Sequence, residues 1–74
     1  MLYFDGTHLM ATDEAELHAK ARQVGLKRKW FQAHVKHPHY DAWAKPKTRL
    51  MADPDVQKVT ARDMLRRLRE MVAE

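Results

Sequence analysis

The sequence predicts a small α+β domain in which a two- or three-stranded sheet is covered by about three helices. Three observations lead there. An apolar alternation at the N-terminus is followed by a turn dipeptide. A helix-period stripe then runs from Leu17 to Val24, and an arginine-flanked apolar stripe closes the chain. With 74 residues there is room for one core only, so 1–74 is read as a single domain.

Each element has a local reason. Leu2 and Phe4 alternate with Tyr3 and Asp5, which gives a short strand. Asp5-Gly6 is a turn pair, and Thr7 to Met10 returns as a second strand. Thr12 or Asp13 starts a helix, with Asp13 and Glu16 at capping-box spacing. Leu17, Ala21 and Val24 recur at i, i+4 and i+7, so one stripe faces the core. Glu16 and Lys20 are placed to pair one turn apart, and Gly25 ends the helix. Leu26 to Gln32, with Trp30 and Phe31, reads as a strand. His34 to His39 is a loop broken by Pro38. Pro46 suits a helix start, giving a short helix over Lys47 to Ala52 that Asp53-Pro54-Asp55 stops. The last helix starts at Pro54 or at Thr60. Thr60 is the better N-cap, with Asp63 at N3 and Val59 and Met64 at the staple positions. Met64, Leu65, Leu68, Met71 and Val72 form its apolar face, and Arg62, Arg66 and Arg69 line the other. The order is strand, strand, helix, strand, helix, helix.

Charge is unevenly placed. The net charge is +4, yet residues 1–26 carry −2, residues 27–49 carry +6, and the remainder is neutral. Such a patch concentrates anionic partners, although a solvated lysine-rich loop has the same composition. There is no cysteine and no serine, which excludes disulfides, thiolate metal sites and the two commonest side-chain nucleophiles. A cysteine-free core this small points to a homo-oligomer. No apolar run reaches the roughly 20 residues of a membrane span, and the N-terminus has no signal-peptide pattern. A cytoplasmic protein without membrane contact is expected.

His34, His37 and His39 lie close together with Asp41, ligand types suited to zinc, iron, nickel or copper. Their spacing matches no metal signature, so no metal and no other cofactor is expected. Glu14, His18 and Arg22 form a polar line on the first helix. Trp30, Phe31, Tyr40 and Trp43 lie near the basic residues, where aromatic rings can stack a base while cations hold phosphate.

Several stretches together point to one family. They are His8-Leu9, Glu16-Leu17-His18, Gly25-Leu26, Lys29-Trp30-Phe31-Gln32 and Pro38-His39-Tyr40-Asp41, extended by Lys45 to Arg49 and Val59 to Arg62. In this order they resemble the small bacterial and phage proteins of domain-of-unknown-function family 4031, over residues 7–69. The resemblance implies an α+β domain whose polar motif residues share a site, and it marks His8, His18, Gln32, His39, Tyr40 and Asp41. Basic neighbours add Arg28, Lys29, Lys45, Lys47 and Arg49 as phosphate-holding candidates.

The expected function is binding of a phosphate-bearing small molecule, a nucleotide, with sequestration of a nucleotide immune signal as its setting in a phage-type protein. His39, Tyr40 and Asp41 are expected to bind rather than catalyse. Two alternatives stand beside it: a nucleic-acid-binding module, and an enzyme acting on nucleotides with His39 as acid or base.

Overall fold

The computed structural model describes residues 1–33, 38–64 and Arg66. Its architecture is α+β, as the sequence predicts. Strand β1 (Leu2–Phe4) is followed by β2 (His8–Ala11), helix α1 (Glu14–Val24) and a 3-10 turn at Arg28–Trp30. Strands β3 (Phe31–Gln32) and β4 (His39–Asp41), helix α2 (Ala44–Ala52) and strand β5 (Val56–Lys58) complete the order. The sheet has five strands in the order β3-β4-β2-β1-β5. All neighbours are antiparallel except β1 and β5, which run parallel.

The expected strand count is therefore corrected from two or three to five. Strands β4 and β5 are three residues long, too short for a period of two to stand out. Both rest on partners distant in sequence: Tyr40 sits opposite Leu9 and Phe31, and Val56 opposite Leu2. The strand expected over Leu26 to Gln32 shrinks to its last two residues. Trp30 N–H bonds to Lys27 O at 2.9 Å and turns the chain before the strand begins.

Alternation along the strands separates two faces. Leu2, Phe4, Leu9, Tyr40 and Val56 turn to one side, where Leu17, Ala21 and Val24 of α1 and Leu50 of α2 complete the main core. Tyr3 and Met10 turn to the other side and pack with Met64 and Val59. Helical backbone over 61–64 thus covers part of the second face, so the helices do not all lie on one side. The expected cap is present there, with Asp63 N–H bonded to Thr60 Oγ1 at 3.1 Å.

Asp13 caps α1 by accepting from Ala15 N–H, and Gly25 ends it with φ 98°, a left-handed conformation that favours glycine. The expected pairing of Glu16 with Lys20 is not made. Lys20 is buried and bonds Asp53 at 2.6 Å, tying α1 to the end of α2, while Glu16 meets the Met1 amino group at 3.0 Å. Helix α2 begins at Ala44, three residues earlier than expected, and Pro46 falls in its first turn, where its missing N–H costs nothing.

Candidate functional site

The two sides of β4 carry two different groups of side chains. Tyr40 faces the helices. Its hydroxyl meets His18 Nδ1 of α1 at 2.8 Å, and His18 Nε2 meets Glu14 Oε1 at 3.1 Å. A carboxylate only accepts, so in the neutral ring Nε2 donates to Glu14 and Nδ1 accepts the tyrosine O–H. The His18 ring also packs edge-on against Phe31, at 4.5 Å between centroids. Burial pushes the Tyr40 hydroxyl above its ordinary pKa. Arg28 pulls the other way, and Glu14 adds to the rise. The group stays neutral at physiological pH and is a hydrogen-bonding hydroxyl, not a phenolate.

The Tyr40–His18 pair lies in a groove of about 610 Å3 between α1 and the 3-10 turn. Ala19, Arg22, Leu26, Lys27 and Arg28 complete its lining. Arg28 stacks over Phe31 at 5.0 Å, and Lys27 over Trp30 at 5.5 Å. The Trp30 ring in turn meets the exposed Trp43 ring at 4.9 Å. Cations over aromatic faces are held in place without being neutralised.

His39 and Asp41 face the opposite way. The pairing of β2 with β4 sets His8 directly across from Asp41. His8 Nε2 lies 3.7 Å from Asp41 Oδ1, and His39 Nε2 lies 3.6 Å from the same oxygen. Gln32 on β3 donates to Asp41 Oδ2 at 2.7 Å. Behind His8, Asp5 accepts from the ring Nδ1 at 2.8 Å and from the His8 and Thr7 N–H groups. Burial alone would raise the Asp5 pKa. Its hydrogen bonds with His8 and Thr7 and the charge of His8 outweigh that and leave it below the ordinary aspartate value.

The residues marked in the sequence therefore fall into four groups. His18, Arg28 and Tyr40 meet at the groove. His8, Gln32, His39 and Asp41 meet on the other side of the sheet. Lys29, Lys45 and Lys47 are exposed and join neither group. Arg49 bonds the Val24 carbonyl at 2.9 Å and closes the end of α1. His34 and His37 lie outside the described residues. Sequence reasoning missed Arg22 and Lys27 as groove residues and Asp5 as the partner of His8. The i, i+4 line through His18 and Arg22 is the signal that could have found the first of them.

The fold and these side-chain groups define a small α+β protein with polar clusters on both sides of one strand. The family model for proteins of unknown function DUF4031 matches residues 5–71, and the chain belongs to that family. No curated protein and no solved structure matches it. Among the described residues, no helix is long and apolar enough to cross a membrane.

Proposed function

We propose that this protein binds a phosphate-bearing small molecule, a nucleotide, in the groove between α1 and the 3-10 turn. One observation carries the reading: three cationic side chains, Arg22, Lys27 and Arg28, line a single groove with no acidic residue in its lining. Its volume of about 610 Å3 falls in the range of roughly 300–1,000 Å3 usual for small-molecule sites. The arginines offer planar forks that match phosphate oxygens, and Lys27 adds a point charge. The His18–Tyr40 pair at the floor supplies polar atoms that fix orientation.

The aromatic contribution differs from the expectation. The buried Tyr40 ring packs against Phe31 and His18, so it offers its hydroxyl and no stacking face. The exposed Trp43, packed against the Trp30 ring that Lys27 covers, is the ring offered to a base. With neither serine nor cysteine in the chain, the groove is suited to holding a ligand rather than to covalent turnover. Sequestration of a nucleotide signal is the mode of action that fits such a holder in a phage-type protein.

Isothermal titration with ATP and AMP tests the proposal. Binding is expected for the wild type, and Arg22→Ala and Arg28→Ala are each expected to weaken it by about 10- to 100-fold, in line with about 1.5–3 kcal/mol for a charged contact. The nucleotide should be recovered intact after denaturation. Many equivalents of product per chain would make the protein an enzyme instead. Tight, salt-resistant binding of duplex DNA without nucleotide affinity would favour a nucleic-acid module.

A further inference from the structure

We propose that His8, His39 and Asp41 form a binding site for one divalent first-row transition ion of the zinc class. The site is on the opposite side of β4 from the groove and does not depend on the nucleotide reading. It also runs against the sequence expectation of no metal, because His8 is 31 residues from His39 and only the pairing of β2 with β4 brings them together.

The geometry argues for a metal in three ways. One ligand atom from each of the three residues lies within 4.8 Å of the other two. Two of those separations are 3.7 and 3.6 Å. A tetrahedral ion with bonds of about 2.0–2.2 Å sets its ligand atoms about 3.3–3.6 Å apart, so these two nitrogen–oxygen separations lie within a few tenths of an ångström of closure, and the ion would draw the two imidazoles together. All three side chains sit on adjacent sheet strands, whose paired backbones hold the set in register.

Next, the ligands are oriented from behind. A metal-bound histidine characteristically donates its second ring N–H to a carboxylate or carbonyl. Asp5 takes this place for His8. Its side chain is only 5% exposed, and two backbone N–H groups fix it as it accepts from Nδ1. In the neutral ring this leaves the Nε2 lone pair aimed at the cluster. Gln32 plays the matching part for Asp41: it engages Oδ2 and leaves Oδ1 toward both imidazoles.

Last, the donor set selects the ion class. Two imidazoles and one carboxylate suit zinc or a non-haem iron(II)-type ion, whereas calcium and magnesium prefer all-oxygen sets. His39 is 14% exposed, but His8 and Asp41 are 42% and 44% exposed. The outer side of the site is open, leaving room for water or a substrate atom in the remaining coordination positions. Open positions are the mark of a catalytic rather than a purely structural ion.

The alternative is a plain ion-pair network, in which Asp41 serves two histidines and no metal binds. Titration of chelator-treated full-length protein with zinc chloride separates the two, with cobalt(II) absorption as a second probe. We expect one ion per chain. His8→Ala, His39→Ala and the nearly isosteric Asp41→Asn should abolish uptake while circular dichroism stays native. Asp5→Asn should weaken zinc binding by about 10- to 100-fold, as loss of an orienting partner does. His34→Ala/His37→Ala should keep stoichiometric binding. The proposal is overturned if neither ion binds, if Asp41→Asn binds as well as wild type, or if the His34/His37 variant alone loses the metal.

Discussion

Asp5 and His8 are locked to each other three times over: the Asp5 carboxylate accepts from the His8 ring and from the His8 backbone N–H, and Asp5 N–H donates to the His8 carbonyl at 3.3 Å, while Thr7 N–H donates to the same carboxylate oxygen as His8 N–H. One aspartate both shapes the turn between β1 and β2 and aims an imidazole across the sheet. Replacing Asp5 by Ala leaves the donors to its carboxylate without their acceptor. The expected cost is about 1–3 kcal/mol of stability. Urea unfolding measures it, and an unchanged midpoint would show that water replaces the carboxylate without loss.

The Lys20–Asp53 pair makes stability depend on acid. The Lys20 side chain is 7% exposed and that of Asp53 14%. The hydrogen bond from Lys20, followed by that from Asp55 N–H, holds Asp53 below its ordinary pKa against the opposing effect of burial, with the charges of Lys20 and Lys58 assisting. A carboxyl depressed in the folded state stabilises the fold above its unfolded pKa, near 3.8, and loses that contribution as pH falls through the lower folded value. Wild-type stability should therefore fall as pH drops below about 4, and Asp53→Asn should flatten that part of the profile. Removing one partner of a largely buried pair, as in Asp53→Ala, should cost about 3 kcal/mol at neutral pH. Denaturant midpoints across the acid range check both; a parallel profile in Asp53→Asn would assign the acid sensitivity elsewhere.

At the end of α1, Gly25 and Arg49 are fitted to one another. Gly25 has φ 98°, and a Cβ there would lie 3.2 Å from Arg49 Nη1, the atom that bonds the Val24 carbonyl. Gly25→Ala adds left-handed strain and presses on that bond, so it should destabilise by about 1–2 kcal/mol. Arg49→Ala should lower stability by about 1–2 kcal/mol through the lost bond, with little change in ligand affinity. Parallel thermal melts and nucleotide titrations distinguish this from a phosphate-holding role, in which affinity would fall and stability would not.

Ala44 is the one non-glycine residue with positive φ, 54°, among those described. Left-handed backbone strains a residue with a Cβ by about 1–2 kcal/mol, and glycine gives back part of that gain through its freer unfolded chain. Ala44→Gly should raise stability by about 0.5–1 kcal/mol. A loss of stability in chemical denaturation would mean that the strain is not relieved there.

Much of this structure was legible in the sequence, and the gaps have one cause. Helix α1 with its glycine stop, the turn at Asp5-Gly6 and the Thr60 cap are written in neighbouring residues, and the structure bears them out. Strands β4 and β5 are written in residues far from their partners, and a strand such as Val56-Gln57-Lys58 has a single apolar residue to announce it. The polar residues suffered most. His39, Tyr40 and Asp41 read as one site along the chain, but strand alternation sends Tyr40 to the helices and the other two to the opposite face. Lys20, read as the partner of Glu16 one turn away, is instead buried and paired with Asp53 at the end of α2. Pairing across distance decides these placements, and a single sequence carries only local signals.

Titration of 15N-labelled protein with ATP, followed through backbone amide shifts, tests the central claim most directly. The groove predicts saturable shifts concentrated at Ala19, Arg22 and Leu26 to Arg28, with His8, His39 and Asp41 little affected in metal-free protein. Shifts confined to His8, His39 and Asp41, or no saturable shift at all, would contradict it.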